Sequence, residues 1–392
     1  MKIFLHDYAG HPFQVGLSSR LAGRGHSVTH AYCATDHGPK GWFARPGLPP
    51  SLRFAPVVGT EPPPPQSALI ARRFDHIAYG RQVANLIAAN RPDVVISGNT
   101  PIDAQVRIID TCRASGTRFA NWVQDIYSVG ISKLLSRRFG PIGGAVGTYY
   151  RRLDRAQYRR SDAIVLIAED FRDIVAHWAG DPGRVHVIEN WGALDEIPLE
   201  AKANHWSRRH GFNERFCFLY SGTLGRKHNP GHLLALAIYH PDAAVAMVGQ
   251  GLGADDLQTA KQEYDLDNLH ILPLQPAPVL PAVLASADIL VATVEADAGS
   301  FSVPSKILSY LCAGRPILLA APEENLAART VRRARAGFVV APDNRAAFLE
   351  AARILRSDPA CRAEMAANGR AYAEQTFDLD RITDRFESIL VR

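Results

Sequence analysis

Short apolar runs alternate with stretches of helical spacing almost throughout the chain. In the first half, the runs 2–8 (KIFLHDY), 27–33 (SVTHAYC), 93–98 (DVVISG), 118–124 (RFANWVQ), 162–168 (DAIVLIA) and 185–190 (VHVIEN) predict strands. Apolar residues recur three and four apart near 13–24, 67–90, 101–115, 145–160 and 169–178, which predicts helices in the gaps. Strands apolar on both faces and separated by helices are what a parallel sheet covered on both sides requires. The proline run 62–65 predicts a surface loop, because proline sustains neither element.

The alternation lapses over 192–206 (GALDEIPLEAKANHW), which reads as a linker, and then restarts. Strands are predicted at 216–221, 243–249, 269–274, 288–294, 316–321 and 337–341. The intervening helices fall near 229–239, 253–264, 278–286, 304–313, 323–334, 344–356, 358–375 and 378–390. Two doubly wound α/β domains of similar size follow, 1–195 and 196–392, with the last helix free to return to the first. Ligands of such sheets bind beyond the carboxyl ends of the strands, so two facing domains make the cleft between them the expected site.

Composition narrows the class without changing this picture. Hydrophobic residues make up 47% and charged residues 21% of 392, an ordinary globular balance that excludes wholesale disorder, collagen-like repeats and coiled coil. Five widely separated cysteines form no CxxC or Cys/His cluster, so neither a disulfide framework nor a structural zinc is expected, and a reducing cytoplasm is the natural home. The opening MKIFLHDYAGHP reads as a buried strand rather than a signal peptide. No run approaches the ~18 apolar residues of a membrane span. A soluble or peripheral protein is expected.

The net charge of +5 is one patch rather than a diffuse property. Residues 131–160 hold Lys133, Arg137, Arg138, Arg151, Arg152, Arg155, Arg159 and Arg160 against the single acid Asp154, a local +7 that leaves the rest of the chain at −2. The arginines are interleaved with Leu, Phe and Tyr, a composition suited to an anionic membrane surface or a lipid-linked pyrophosphate. A solvated helical face fits the same residues. No aromatic ladder or recognition helix points to nucleic acid.

Three loops could carry chemistry. In FLYSGTLGRKHNPGHLL (218–234) a strand runs into Gly222 and Gly225, then Arg226 and Lys227, then a helix with Pro230 at its start. Glycines let the backbone approach an anion and the two cations neutralise it, although a plain turn with a solvated Arg–Lys pair fits as well. In VPSKILSYLCAGRPIL (303–318), Ser305 and Lys306 stand in a first helical turn, where a lysine opposes the dipole unless an anion is near. Gly249-Gln250-Gly251 closes the strand AAVAMVG, as a nucleotide pocket or a simple turn would.

Together with WVQD at 122–125, these loops in this order resemble the retaining glycosyltransferases of family 4. Those enzymes have the GT-B architecture of two facing Rossmann-like domains. Within the family the chain looks like the branch that builds bacterial exopolysaccharide and O-antigen, including fucosyltransferases of the colanic-acid type. The resemblance implies that Arg226 and Lys227 hold a donor diphosphate with backbone access at Gly222 and Gly225. It places Ser305 and Lys306 on the same phosphates and Gly249 and Gly251 at the base and ribose. It puts acceptor contacts at Gly10 and His11, a polar group beside the reacting carbon at Gln124 and Asp125, and Asn190 at the end of the first domain's last strand. Many members carry a Glu-x(7)-Glu pair; the matching positions here are Phe301 and Ser309, and Ser309 can still meet a ribose hydroxyl.

The expected reaction moves a sugar from a nucleoside diphosphate, GDP slightly before UDP, to a hydroxyl of a polyprenyl-pyrophosphate-linked glycan. Asp125, Lys227 and Lys306 are its catalytic candidates. No His/Asp constellation has metal spacing, so no metal and no cofactor beyond the donor are expected. A nucleotide-sugar epimerase on the same scaffold is a second reading. A third is a non-catalytic nucleotide-sugar-binding protein held at the membrane. A dehydrogenase is disfavoured, because no GxGxxG follows a strand with an acid about 20 residues on.

Overall fold

The computed structural model describes residues 1–36, 40, 43–44, 46–62, 64, 68–225, 228–296 and 305–391, without the side chains of 133, 134, 137 and 138. The chain divides into two compact units, Met1–Glu189 with Leu379–Arg392, and Asn190–Asp378. The second unit thus begins at Asn190, ahead of the boundary expected at 195.

Unit 1 contains β1 (Lys2–Asp7), α1 (Pro12–Gly23), β2 (Ser27–Cys33), β3 (Leu52–Val57), α2 (Leu69–Asn90), β4 (Val94–Gly98), α3 (Ile102–Ser115), β5 (Arg118–Val123), α4 (Tyr127–Arg160), β6 (Ala163–Leu166), α5 (Arg172–Ala179) and β7 (Val185–Val187). Its seven strands are parallel in the order β3-β2-β1-β4-β5-β6-β7. Phe4, Val95 and Phe119 meet Tyr79, Ile108 and Val83 in its buried core. Unit 2 contains α6 (His205–His210), β8 (Cys217–Thr223), α7 (Gly231–Tyr239), β9 (Ala244–Gln250), α8 (Leu252–Glu263), β10 (Leu269–Leu272), α9 (Leu280–Ala285), β11 (Ile289–Thr293), α10 (Lys306–Ala313), β12 (Ile317–Ala320), α11 (Leu326–Arg333), β13 (Gly337–Val340), α12 (Arg345–Ser357) and α13 (Pro359–Thr376). Its six strands are also parallel, β10-β9-β8-β11-β12-β13. A second core gathers Phe218, Val245, Val291, Leu318 and Phe348. Each sheet reverses its strand order once, between β1 and β4 and between β8 and β11, and such switch points open crevices for ligands.

The last helix, α14 (Leu379–Val391), packs on α1 of unit 1. Arg24 donates to Asp384 at 2.6 Å and to Glu387 at 2.6 Å, and His26 Nε2 lies 2.8 Å from Glu387.

Four departures from the sequence expectation have physical causes. β3 was not predicted: it carries Pro56 and alternates poorly, which only an edge strand tolerates, and β3 is the sheet's edge. The expected linker ends in α6, which Asn204 opens with a reciprocal Ser207 capping box and Gly211 closes in the left-handed region. β7 stops at Val187, so the strand expected to reach 190 is shorter, and Asn190 does not end it.

The fourth concerns the basic segment, expected as a helix over 145–160 alone. α4 is two helices broken at Gly140 (φ 53°), where the following Pro141 forbids a continuous turn. The halves fold back on each other: a Cβ on Gly143 would meet Leu135 O at 1.9 Å, and one on Gly147 would meet Ser132 Cα at 2.8 Å. Ser128 N–H donates to Asp154 at 3.1 Å farther along the same seam. The first half was illegible because Gly130 and the Gly-Pro break dilute its pattern, and packing against the second half holds it helical.

Candidate functional site

In unit 2 the chemistry gathers at the switch point. β8 and β11 pair through Phe218↔Ile289 and Leu219↔Leu290, and the pairing stops there. Tyr310 of α10 fills the gap that opens. Its hydroxyl accepts from Ser221 N–H at 2.9 Å and donates to Val291 O at 3.2 Å, standing in for the missing ladder bonds. Burial raises the phenol far above its ordinary value, so it keeps its proton. Four residues earlier on α10, Lys306 shares that face. Its Cε would lie 3.6 Å from a Cβ on Gly222, and its Nζ sits 4.8 Å above the Tyr220 ring and 3.4 Å from His228 Nε2.

Among the described residues Lys306 pairs with no carboxylate. Burial alone lowers its ammonium from 10.5 to about 8. A part-buried cation at a strand's end, with no carboxylate partner among the described residues, is stabilised by an incoming anion. Ser309 follows on the same helix, half-buried, while Ser305 is exposed at the helix start without capping it.

The expected glycines divide by role. Gly222 (φ 117°) lies against Lys306, and Gly225 N–H donates to His228 Nδ1 at 3.1 Å. Gly249 pairs with Gly222 across the β8–β9 ladder, where a Cβ would strike Gly222 O at 1.9 Å. Gly251 (φ 117°) would strike Leu224 O at 2.7 Å. At both positions close approach of the two loops leaves no room for a side chain. Arg226, Lys227 and Phe301 lie outside the described residues. Tyr220, Tyr310 and His228 went unnoticed in the sequence; Tyr310 stands at i+4 from Lys306, a spacing that could have revealed it.

In unit 1 a polar pocket opens beyond the carboxyl ends of β4 and β5. Gln124 and Asp125 line it with Asn99, Thr100, Asp154 and Gln157. Asn99 (φ 52°) takes the left-handed conformation asparagine tolerates and accepts from Tyr127 OH at 2.5 Å. Beneath it, buried His6 contacts Thr100 Oγ1 at 2.9 Å and Tyr79 OH at 2.9 Å. Burial lowers His6 to about 4, so it is neutral near pH 7. Burial also raises Asp154 to about 6. Asp154, read from the sequence as one acid in a basic run, is turned inward.

Gly10 and His11 do not line this pocket. They form the β1–α1 turn, with Gly10 at φ 73° and its N–H on Asp7 O at 3.2 Å. Buried Asp7 accepts from His11 N–H and from its Nδ1 at 3.2 Å. Burial opposes both charges, yet the pair wins: Asp7 is held below and His11 above their ordinary values. Asn190 lies beyond β7 at the start of unit 2. Among the described residues no group of three potential ligands could hold a metal ion.

Comparison with known proteins follows this geometry. Residues 12–191 match the glycosyl transferase 4-like domain, and residues 203–372 match the glycosyl transferases group 1. The "Putative colanic acid biosynthesis glycosyl transferase WcaI" of Escherichia coli (strain K12) is 25% identical over 207 residues, 52% of this chain; the match spans about half, 51%, of that protein. Anabaena Alr3699/HepE, solved in complex with UDP and glucose, superposes with TM-score 0.73 at 17% identity over 100% of this chain and 99% of that one. Sucrose-phosphate synthase from Thermosynechococcus elongatus gives TM-score 0.76 at 15% identity, covering 99% of this chain and 98% of its own. At these identities the two structures speak for the fold.

Proposed function

The chain is a glycosyltransferase of the GT-B type, and we propose that it transfers a sugar from a nucleoside diphosphate to a hydroxyl of a lipid-linked glycan in bacterial surface polysaccharide synthesis. The carrying observation is Lys306, a part-buried ammonium with no carboxylate partner among the described residues, against Gly222 at the unit 2 switch point. In the proposed reaction the bond from the anomeric carbon to the diphosphate oxygen breaks and its electron pair leaves with the diphosphate. The acceptor oxygen bonds that carbon, and its proton passes to an oxygen of the departing diphosphate. Fixed positive charge on the departing diphosphate is the electrostatic stabilisation that usually dominates. Lys306 supplies it, and Arg226 and Lys227 are assigned beside it by their motif, without a metal. Retention of anomeric configuration belongs to the same proposal.

The acceptor is assigned to unit 1, with Gln124 and Asp125 nearest the reacting hydroxyl. The pocket's amides and hydroxyls suit a neutral polyol, and the relative named for colanic acid biosynthesis supports a polysaccharide product. The basic segment supports a place at the inner face of the plasma membrane. The resemblance favours a guanosine base, whereas the HepE structures carry uridine. Purified protein should release nucleoside diphosphate from a GDP- or UDP-sugar when given lipid-linked glycan, and magnetic resonance of the product should show the donor's anomeric configuration. An inverted product overturns retention alone. Binding without release from any donor overturns transfer in favour of a non-catalytic role.

A further inference from the structure

We infer that the α4 hairpin tip and the first turns of α2 form one surface that inserts into the interface of an anionic lipid bilayer. It deepens the membrane-linked reading above and rests on it for the acceptor's location. The α4 break leaves Phe139-Gly140-Pro141-Ile142 at a hairpin tip, with Phe139 exposed and Ile142 76% exposed. From there Ile142, Ala145, Val146 and Tyr149 recur at i, i+3, i+4 and i+7, and every one is exposed. That spacing normally marks a buried helix face, so the amphipathic order here is inverted. The stripe then turns basic: Arg152 and Arg159 continue on the exposed side, with Arg151 adjacent.

α2 adds the second half. Ile70 is 76% and Phe74 66% exposed, one turn apart on the same face. Between them Arg73 reaches α4, donating to Tyr149 OH at 2.8 Å with its guanidinium 5.1 Å from that ring. The apolar ends of both helices therefore meet at Arg73 and Tyr149. Exposed apolar area at a helix tip, continued by the exposed Arg151, Arg152 and Arg159, is complementary to lipid tails beneath anionic headgroups. Among the described residues no helix is long and apolar enough to cross a membrane, so the contact is interfacial. The inner face of the same hairpin carries Asp154 and Gln157 into the unit 1 pocket, so the docking surface and the proposed acceptor site share one helix.

The test sediments the full chain with vesicles of phosphatidylcholine alone or mixed with phosphatidylglycerol. Wild type should bind the mixed vesicles only. Ile70→Ser and Ile142→Ser should each weaken that binding about tenfold, given the burial energy of one isoleucine. Arg151→Gln with Arg152→Gln and Arg159→Gln should weaken it as well. All variants should keep the wild-type melting temperature and nucleoside diphosphate release with detergent-solubilised lipid-linked glycan in vesicle-free solution, an arm that reads the catalytic proposal separately. If only the arginine variant loses binding, adsorption is electrostatic and insertion is overturned, while the membrane reading stands. If wild type ignores both vesicles, insertion and membrane reading both fall. If Ile142→Ser instead dissolves a dimer seen by ultracentrifugation, a second copy covers the surface and the inference is overturned.

Discussion

The two sheets share one strand order, yet their switch points are built oppositely. In unit 1, β1 and β4 pair through five positions, from Ile3↔Val94 to Asp7↔Gly98, and the buried charge there, Asp7, is answered by His11 within its own turn. In unit 2, β8 parts from β11 after two pairs, Tyr310 spans the opening, and the charge there, Lys306, has no carboxylate answer among the described residues. A self-neutralised switch point asks nothing of a ligand's charge. An unanswered cation asks for an anion. The difference supports the proposal that the diphosphate meets unit 2 and that the hydroxyl-bearing substrate meets the pocket of unit 1, where Asn99, Gln124 and Gln157 stand with Asp125 and Asp154.

The contrast can be broken or sharpened by substitution. Lys306→Ala should lower turnover by about 10²–10³, as loss of one charge-stabilising donor does, while the melting temperature is unchanged; steady-state kinetics at saturating donor checks it. Asp154→Asn tests the buried carboxylate of the unit 1 pocket. Burial raises that carboxyl from 3.8 to about 6, so the ionised form penalises the folded state. The penalty is absent below the unfolded value and complete above about pH 6. The asparagine variant should therefore gain about 3 kcal/mol at neutral pH and nothing in acid, by denaturant titration at both.

Tyr310→Phe should cost about 1–3 kcal/mol by leaving the Ser221 N–H unpaired, and should raise the donor KM because α10 no longer fixes Lys306. The smallest effect is on pH dependence. Lys306 loses its proton as pH rises through about 8, so affinity for a nucleoside diphosphate should hold below that point and fall by about tenfold per unit above it. Lys306→Arg should flatten that fall, measured by calorimetric titration.

Most of the fold was legible because apolar runs and helical spacing alternate cleanly, and the doubly wound parallel order follows from that alternation. What escaped depended on tertiary context. β3 needed the knowledge that Pro56 sits on an edge, and the first half of α4 needed its Gly143 and Gly147 seam. Of the unit 2 residues that lie together, Gly222 and Lys306 were legible, since a glycine at a strand end and a lysine in a first helical turn are local signals. Tyr310 was not, because its purpose lies in a gap between strands far apart in sequence. Asp154 was read as one charge in a basic run, and only helical phase turns it toward the pocket. Gly249 and Gly251 drew attention as nucleotide contacts, although backbone approach already requires them.

The most direct test of the central claim is thermal stability of wild type and Lys306→Ala in UDP, GDP, ADP, CDP and NAD. A ligand at about 100 times its dissociation constant should add about 2.7 kcal/mol of stability. The account predicts a rise in wild type with UDP or GDP that Lys306→Ala loses. An equal rise in the variant, or a response to NAD alone, would contradict the assignment of the diphosphate to the unit 2 switch point.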